Sequence, residues 1–526
     1  MRSGRVSVSI VAAATAALLS SSALAAHRPL TPLPGQHGHV GPYKPAYTAP
    51  DNAPAGAPIQ SGTWHALAHG FPGTSFPDTP LLLTDGTVIM HDGCTADWYR
   101  LTPDNTGSYR NGTWTKIASM PAGYTPLYFA SAVLPDGHVM VNGGEYLSCS
   151  ATWTNKGAIY DVVANTWTNV PPPSGWANIG DAQSVVRTDG LYMLADCCQT
   201  KAAYATISGT TVTWTTTGTA KGDSYDEEGW TQLPDGTVLT VDANRGLGSP
   251  NFVEIYSEAT GAWTTQTNKT ATSCADASSH EIGPASLLPN GLVFQLCATN
   301  HTNVYDPVSG TWTAGPDLPN IDGALDSADG PAVVLPDGNV LAQVSPGVFN
   351  APSHFLEIQV VDASTVNIAQ VSEPASAPSQ SSYEGRFVML PTGEALWGSD
   401  VGDVEIYTPK GKAAKAAKPK LKSIPATLTR GSTGNVAHGK RFNGVSFGAT
   451  YGDDAQMSTN YPLVRITNNS TGHVCFARTH DYDTGISDGS STSTQFDVPS
   501  SCETGASTAV VIVNGVSSAA LPVTVN

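Results

Sequence analysis

The chain has 526 residues, 40% of them hydrophobic and only 13% charged, with 52 Gly, 38 Pro and a formal net charge of −18. That length can bury more than one core, and the shortage of charge beside abundant Gly, Pro, Thr and Ser favours strands and turns over helices. An acidic surface of this size repels nucleic acid and anionic membranes, which sets both aside as partners.

In chain order, Arg2 and Arg5 precede an apolar run from Val6 to Leu19, and Ala23-Leu24-Ala25 fits the small-x-small pattern that signal peptidases cut. Residues 1–25 therefore read as a secretory leader, since the run is too short to span a membrane and no later segment is apolar enough to do so. This predicts an exported chain, extracellular or periplasmic, with no membrane span. The eight cysteines suit such an oxidising compartment. Proximity in sequence or in repeat position pairs Cys94 with Cys149, Cys274 with Cys297 and Cys475 with Cys502; Cys197 and Cys198 either join each other or each pair elsewhere. Residues 26–60, rich in Pro, Ala and Gly without an apolar period, read as an extended arm.

A short motif then recurs. Leu83-Thr84-Asp85-Gly86, Leu134-Pro135-Asp136-Gly137, Arg187-Thr188-Asp189-Gly190, Leu233-Pro234-Asp235-Gly236, Leu288-Pro289-Asn290-Gly291, Leu335-Pro336-Asp337-Gly338 and Leu390-Pro391-Thr392-Gly393 make seven turns, each beside apolar runs. Trp64, Trp114, Trp167, Trp214, Trp263 and Trp312 are spaced 50, 53, 47, 49 and 49 residues apart. A period near 50 with short alternating strands is that of kelch repeats, each folding into one four-stranded blade. The Tyr and Trp of the outer strands are assigned to packing. Seven turns predict seven blades over 61–408, with the strand around Trp64 closing the ring as the outer strand of the last blade.

After Pro409 the texture changes, as Lys410, Lys412, Lys415, Lys418 and Lys420 alternate with Ala, Gly and Pro in a solvated linker over 409–420. From 421 to 526, short strands such as Leu463-Val464-Arg465-Ile466 and Ala509-Val510-Val511-Ile512-Val513 are separated by Gly, Asn and Ser turns. The expected fold class is thus all-β: a seven-bladed kelch-type β-propeller followed by an immunoglobulin-like β-sandwich.

This combination resembles the galactose oxidase family of secreted copper radical oxidases, with their C-terminal early-set domain. Local strings carry the resemblance too. Tyr128 stands eight residues before Asp136, Tyr383-Glu384 precedes the last turn where the family has Tyr-His, and Tyr451-Gly452 opens a segment running into Tyr461-Pro462-Leu463. The resemblance implies copper held by two His and two Tyr, one Tyr being crosslinked to a Cys. Here Glu384 takes the first His position, Gln456 the sandwich His position, and Pro77 or Asp78 the Cys position. Two tyrosines without imidazoles make a poor Cu(II) site, so the architecture carries over and the radical chemistry does not. His280 and His480 are the nitrogens that could approach from another direction.

Inner strands of a propeller line its channel, so residues at one offset before each turn face a common axis. Counting eight back gives Pro77, Tyr128, Asp181, Glu227, Ile282, Asp329 and Glu384, and one residue of slip adds Asp78, Glu228, Glu281 and Tyr383. In a chain so poor in charge, these carboxylates are the strongest functional signal. They suit capping of loops, a hard cation such as Ca²⁺ more than copper, or acid/base catalysis in which crowding raises one carboxyl pKa. Candidate catalytic groups are Asp181, Glu228, Glu281, Asp329, Glu384, Tyr128, Tyr383 and His280; candidate metal donors are Glu384, Tyr383, Tyr128 and His480. Trp176, Trp230, Tyr225 and Arg386 stand nearby as stacking or orienting groups, with Trp230 and Arg386 expected to be packed inside inner strands. The leading expectation is a monomeric, exported protein binding a carbohydrate or similar polar ligand at an acidic channel mouth. Its rivals are a carboxylate-dependent hydrolase or lyase and an oxidase with a rearranged metal site.

Overall fold

The computed structural model describes residues 56–526. The proposed leader and most of the arm lie outside the described residues. The described chain is all-β, with three single-turn 3₁₀ segments as its only helices, and none is long and apolar enough to cross a membrane.

Seven sheets of four or five strands are present among the described residues, each an antiparallel meander apart from two additions. The first runs Pro77–Leu82, Val88–Asp92, Trp98–Thr102 and Thr113–Lys116, and five more repeat this order along the chain. In the seventh, Gly385–Met389, Ala395–Ser399 and Val404–Thr408 are completed by Thr63–Ala66 from the start of the described chain, paired Trp64 to Tyr407. Inner strands pack on inner strands: Pro77–Leu82 meets both Ala130–Val133 and Gly385–Met389, as a β-propeller requires.

The repeated turns connect the first two strands of each sheet. Their glycines, from Gly86 to Gly393, all have φ between 78° and 93°, which only Gly adopts without cost. The Asp or Asn before the Gly accepts the backbone N–H two residues on, as Asp85 does from Thr87 at 3.0 Å and Asp136 from His138 at 3.0 Å. In the last turn Thr392 replaces this acceptor and its hydroxyl donates to Glu394 instead.

Outer-strand Trp residues pair across strands with Tyr, at ring distances of 4.9 Å for Tyr160–Trp167 and Tyr305–Trp312. Several indole N–H groups reach back to the chain leaving the preceding sheet: Trp167 to the Ala118 carbonyl at 3.0 Å, Trp214 to Pro171 at 2.7 Å and Trp64 to Ser372 at 2.6 Å. The aromatic residues therefore hold neighbouring sheets together, as expected.

Residues beyond Lys420 form a second β unit around Leu428, Phe442, Val464, Phe496 and Val511. It lies against the turn end of the propeller, where Tyr482 donates to the Leu134 carbonyl at 2.9 Å and Thr484 to Arg187 at 2.8 Å. One of its loops enters the channel. Ala449–Thr450 pairs with the inner strand Ala332–Val334, and Tyr451 donates to the Tyr383 carbonyl at 2.8 Å. Gly229 and Gly452 allow the loop to seat, because a methyl at Gly229 would meet the Gly452 carbonyl at 2.5 Å.

Four disulfides are formed: Cys94–Cys149, Cys274–Cys297, Cys475–Cys502 and the vicinal Cys197–Cys198. The open choice at Cys197 and Cys198 is thus settled as a bond to each other.

Trp64 packs against Phe355, Trp397 and Tyr407 at 5.0, 5.8 and 5.1 Å. Trp64→Ala should lower stability by about 2–4 kcal/mol in chemical denaturation, because it strips the closing strand of its main apolar contact. An unchanged midpoint would show that the ring does not depend on this closure.

Candidate functional site

The inner strands begin at the channel end away from the turns, and their entrances share a backbone device. Tyr128, Gly180, Glu227, His280 and Asp329 have φ of 51°, 68°, 60°, 71° and 46°. For a non-glycine residue this left-handed region costs on the order of 1–3 kcal/mol, and here it re-aims side chains as the chain dives into the ring.

Five carboxylates meet there. Oxygens of Asp181, Glu227 and Asp453 lie within 4.8 Å of one another, and so do those of Glu227, Glu281 and Asp329, with Glu227 common to both groups. Asp181, Glu281 and Asp453 are buried, while Glu227 and Asp329 keep partial access to solvent. Burial first, and the neighbouring carboxylates second, push Asp181, Glu227, Glu281 and Asp453 well above the usual carboxylate range. Glu145 at the rim rises to about 8 through burial and then the charge of Asp329, and Asp454 to about 7 mainly through burial. Glu281 crowds against Asp329 and Glu227, and after burial the charge of Asp329 is the largest cause of its rise.

Arg386 lies beneath this group, its guanidinium 3.5 Å from the Tyr451 ring, 5.3 Å from that of Tyr128 and 3.9 Å from Asp78. Tyr128 meets Tyr146 edge-on at 5.9 Å, and Tyr383 meets Phe349 at 5.2 Å. The Cys94–Cys149 bond belongs to the small apolar cluster that seats Tyr128 and Tyr146.

Other expected site residues lie elsewhere. Glu228 is fully buried in its blade, where it accepts from Lys221 at 2.8 Å and Thr240 at 2.9 Å. Its neighbour Glu227 is the one at the mouth. Glu384 accepts the Ser381 backbone N–H at 2.7 Å, capping its own short helix, and stands outside both carboxylate groups. His280 binds Asn244 at 2.7 Å beside the cluster. His480 is held by Asp481 at 2.8 Å and Asp497 at 3.2 Å, at the turn end, where it cannot share a metal with Tyr128 and Tyr383. Trp176, Trp230 and Tyr225 are buried and offer no stacking face; among the described residues the exposed aromatic rings are Trp153 and Phe349, at 49% and 39%.

Asp453 and Asp454 escaped the sequence reading because they arrive on the inserted loop and belong to no repeat. The one available signal was an adjacent pair of charges following Tyr451-Gly452 in a chain poor in charge.

No family model matches the sequence. A stretch of 141 residues is 30% identical to the Kelch-like protein terF of Aspergillus terreus, covering 26% of this chain and 28% of that protein. The chain thus spans little more than a quarter of that relative's length. Among solved structures, a fungal alcohol oxidase of the AA5 family in complex with copper is 16% identical, with a TM-score of 0.41 over 86% of this chain and 85% of that one. A catalytically inactive virginiamycin B lyase from Staphylococcus aureus, with quinupristin, is 9% identical, with a TM-score of 0.44 over 66% of this chain and 99% of that one.

A second buried acidic group gives a direct test of how this chain manages charge. Lys221 sits among Asp223, Glu228 at 2.8 Å, Asp242 at 3.4 Å and Glu254 at 3.5 Å. Lys221→Ala leaves these carboxylates uncompensated and should cost about 3–5 kcal/mol in a denaturant titration; a cost near zero would mean that the group is already protonated.

The raised carboxyl groups also fix a pH dependence. Glu145 goes from 4.5 to about 8 and Asp454 from 3.8 to about 7, so the folded state holds protons that the unfolded state releases. Their stabilising contribution is complete below about pH 4 and is lost as pH rises through 7 to 8. In metal-free buffer the melting temperature should fall across this window, and Glu145→Gln should flatten the slope; a profile rising with pH would contradict it.

Proposed function

We propose that this chain is an exported, seven-bladed kelch propeller over residues 61–408, preceded by a leader (1–25) and an arm (26–60). It is joined through 409–420 to an immunoglobulin-like sandwich over 421–526, and it binds a carbohydrate or similarly hydroxylated ligand at the acidic mouth. The observation that carries this reading is Glu227, shared by two groups of carboxylates from separate parts of the chain. Such oxygens accept hydrogen bonds from several ligand hydroxyls at once. Exposed Trp153 and Phe349 supply the apolar faces on which sugar rings stack, since a methyl at Gly180, next to Asp181, would approach the Trp153 ring at 3.6 Å and Phe349 lies against Tyr383. Four disulfides suit an oxidising compartment.

The donors do not fit the family's copper. Glu384 is spent on a helix cap, the Gln456 amide donates to the Asp453 carbonyl at 3.4 Å, and Pro77 or Asp78 stands in place of a thiol. His91, the buried imidazole near Asp78, has both nitrogens engaged, with Asp78 at 3.1 Å and the Thr95 carbonyl at 2.9 Å. No radical step is therefore assigned to this chain.

A second reading, acid/base hydrolysis, is favoured by the crowding of Glu227, Glu281 and Asp329, which with burial holds Glu281 well above the usual carboxylate range.

Glycan-array screening followed by calorimetry tests the binding reading. Trp153→Ala and Glu227→Gln should each weaken binding at least about tenfold, close to 1.4 kcal/mol. No glycan bound, or equal affinity in all three proteins, would sink it, while turnover of the bound glycan, lost in Glu281→Gln, would favour the hydrolase.

A further inference from the structure

We propose that the mouth binds one hard divalent cation of the Ca²⁺ class between Asp181, Glu227 and Asp453. This inference deepens the reading of the mouth as a binding site and rests on it for location; its evidence is separate.

The first observation is span. Oxygens within 4.8 Å of one another fit around a single ion whose oxygen ligands sit about 2.3–2.6 Å away. The second is an unpartnered group. Asp181 is only 5% exposed, its Oδ1 has no hydrogen-bond partner, and its side chain is directed at Glu227 and Asp453. A buried carboxylate without a donor is costly unless a proton or a cation meets it.

The molecule contains a control for this argument. Asp223, Asp242 and Glu254 also lie within 4.8 Å of one another, and there the Lys221 ammonium sits among them, 3.4 Å from Asp242 and 3.5 Å from Glu254. Asp181 has no such ammonium beside it. Arg386, the cation below, is turned toward Tyr451, Tyr128 and Asp78, and Lys221 is committed in its own blade.

Asp181 and Glu227 come from the entrances of consecutive inner strands, and Asp453 from the inserted loop. An ion among them would tie that loop to the propeller and leave the open side of its coordination sphere for ligand hydroxyls or water.

The test uses the mature protein stripped with chelator and dialysed, without any glycan. Calcium chloride is titrated by calorimetry, and terbium by luminescence sensitised from the protein's aromatic residues. Expected are one saturable site, a rise in melting temperature with calcium, and affinity reduced more than about tenfold in Asp181→Asn and in Glu227→Gln. Glu503→Gln, at an exposed residue outside the carboxylate groups, should bind as wild type does. Absence of saturable binding in the wild type, or binding unchanged in both mouth variants, overturns the proposal. If a mouth variant fails to fold, the calcium-dependent melting shift of the wild type and its loss in Asp453→Asn decide instead. Glycan binding that survives chelation would leave the carbohydrate reading standing while this inference fell if calcium binding were also absent; calcium binding without any glycan ligand would do the reverse.

Discussion

Four residues, Thr63–Ala66, pair with Val404–Thr408 across more than three hundred positions of sequence, and through that pairing an open row of sheets becomes a ring. A ring gives positions with the same offset in every repeat a common axis. Without it, Asp181, Glu227, Glu281 and Asp329 would lie along the edge of an open array. Their convergence is a property of the closed topology, and burial raises the proton affinity of all four, with repulsion from neighbouring carboxylates added at Asp181, Glu227 and Glu281.

The chain holds buried negative charge in two ways. Around Lys221 the compensating charge is covalent, held on a side chain of the same blade. At Asp181, Glu227, Glu281 and Asp453, burial and the neighbouring carboxylates raise the proton affinity instead.

Much of this was legible in the sequence. The Asp-Gly turns declare themselves because positive φ demands Gly and the preceding side chain must accept a backbone N–H, and the Trp spacing gives the period. Counting back from the turns reached Glu227, yet the choice of Glu228 as a candidate missed by one residue. Strand parity is undefined where the backbone passes through a left-handed residue, as it does at Glu227 itself. Glu384 sits at the right offset, but the local serine-rich turn captures its carboxylate, a competition that periodicity does not register. Asp453 is beyond any repeat argument, since it lies past the last repeat and only the folded path of its loop shows where it ends.

Residues from Ala449 to Gln456 touch inner strands around the ring, with Thr450 on Ser286, Tyr451 on Tyr383 and Gln456 on Ser131. One short loop therefore bridges three separate sheets, so a shift of the sandwich would be felt at several inner-strand entrances at once.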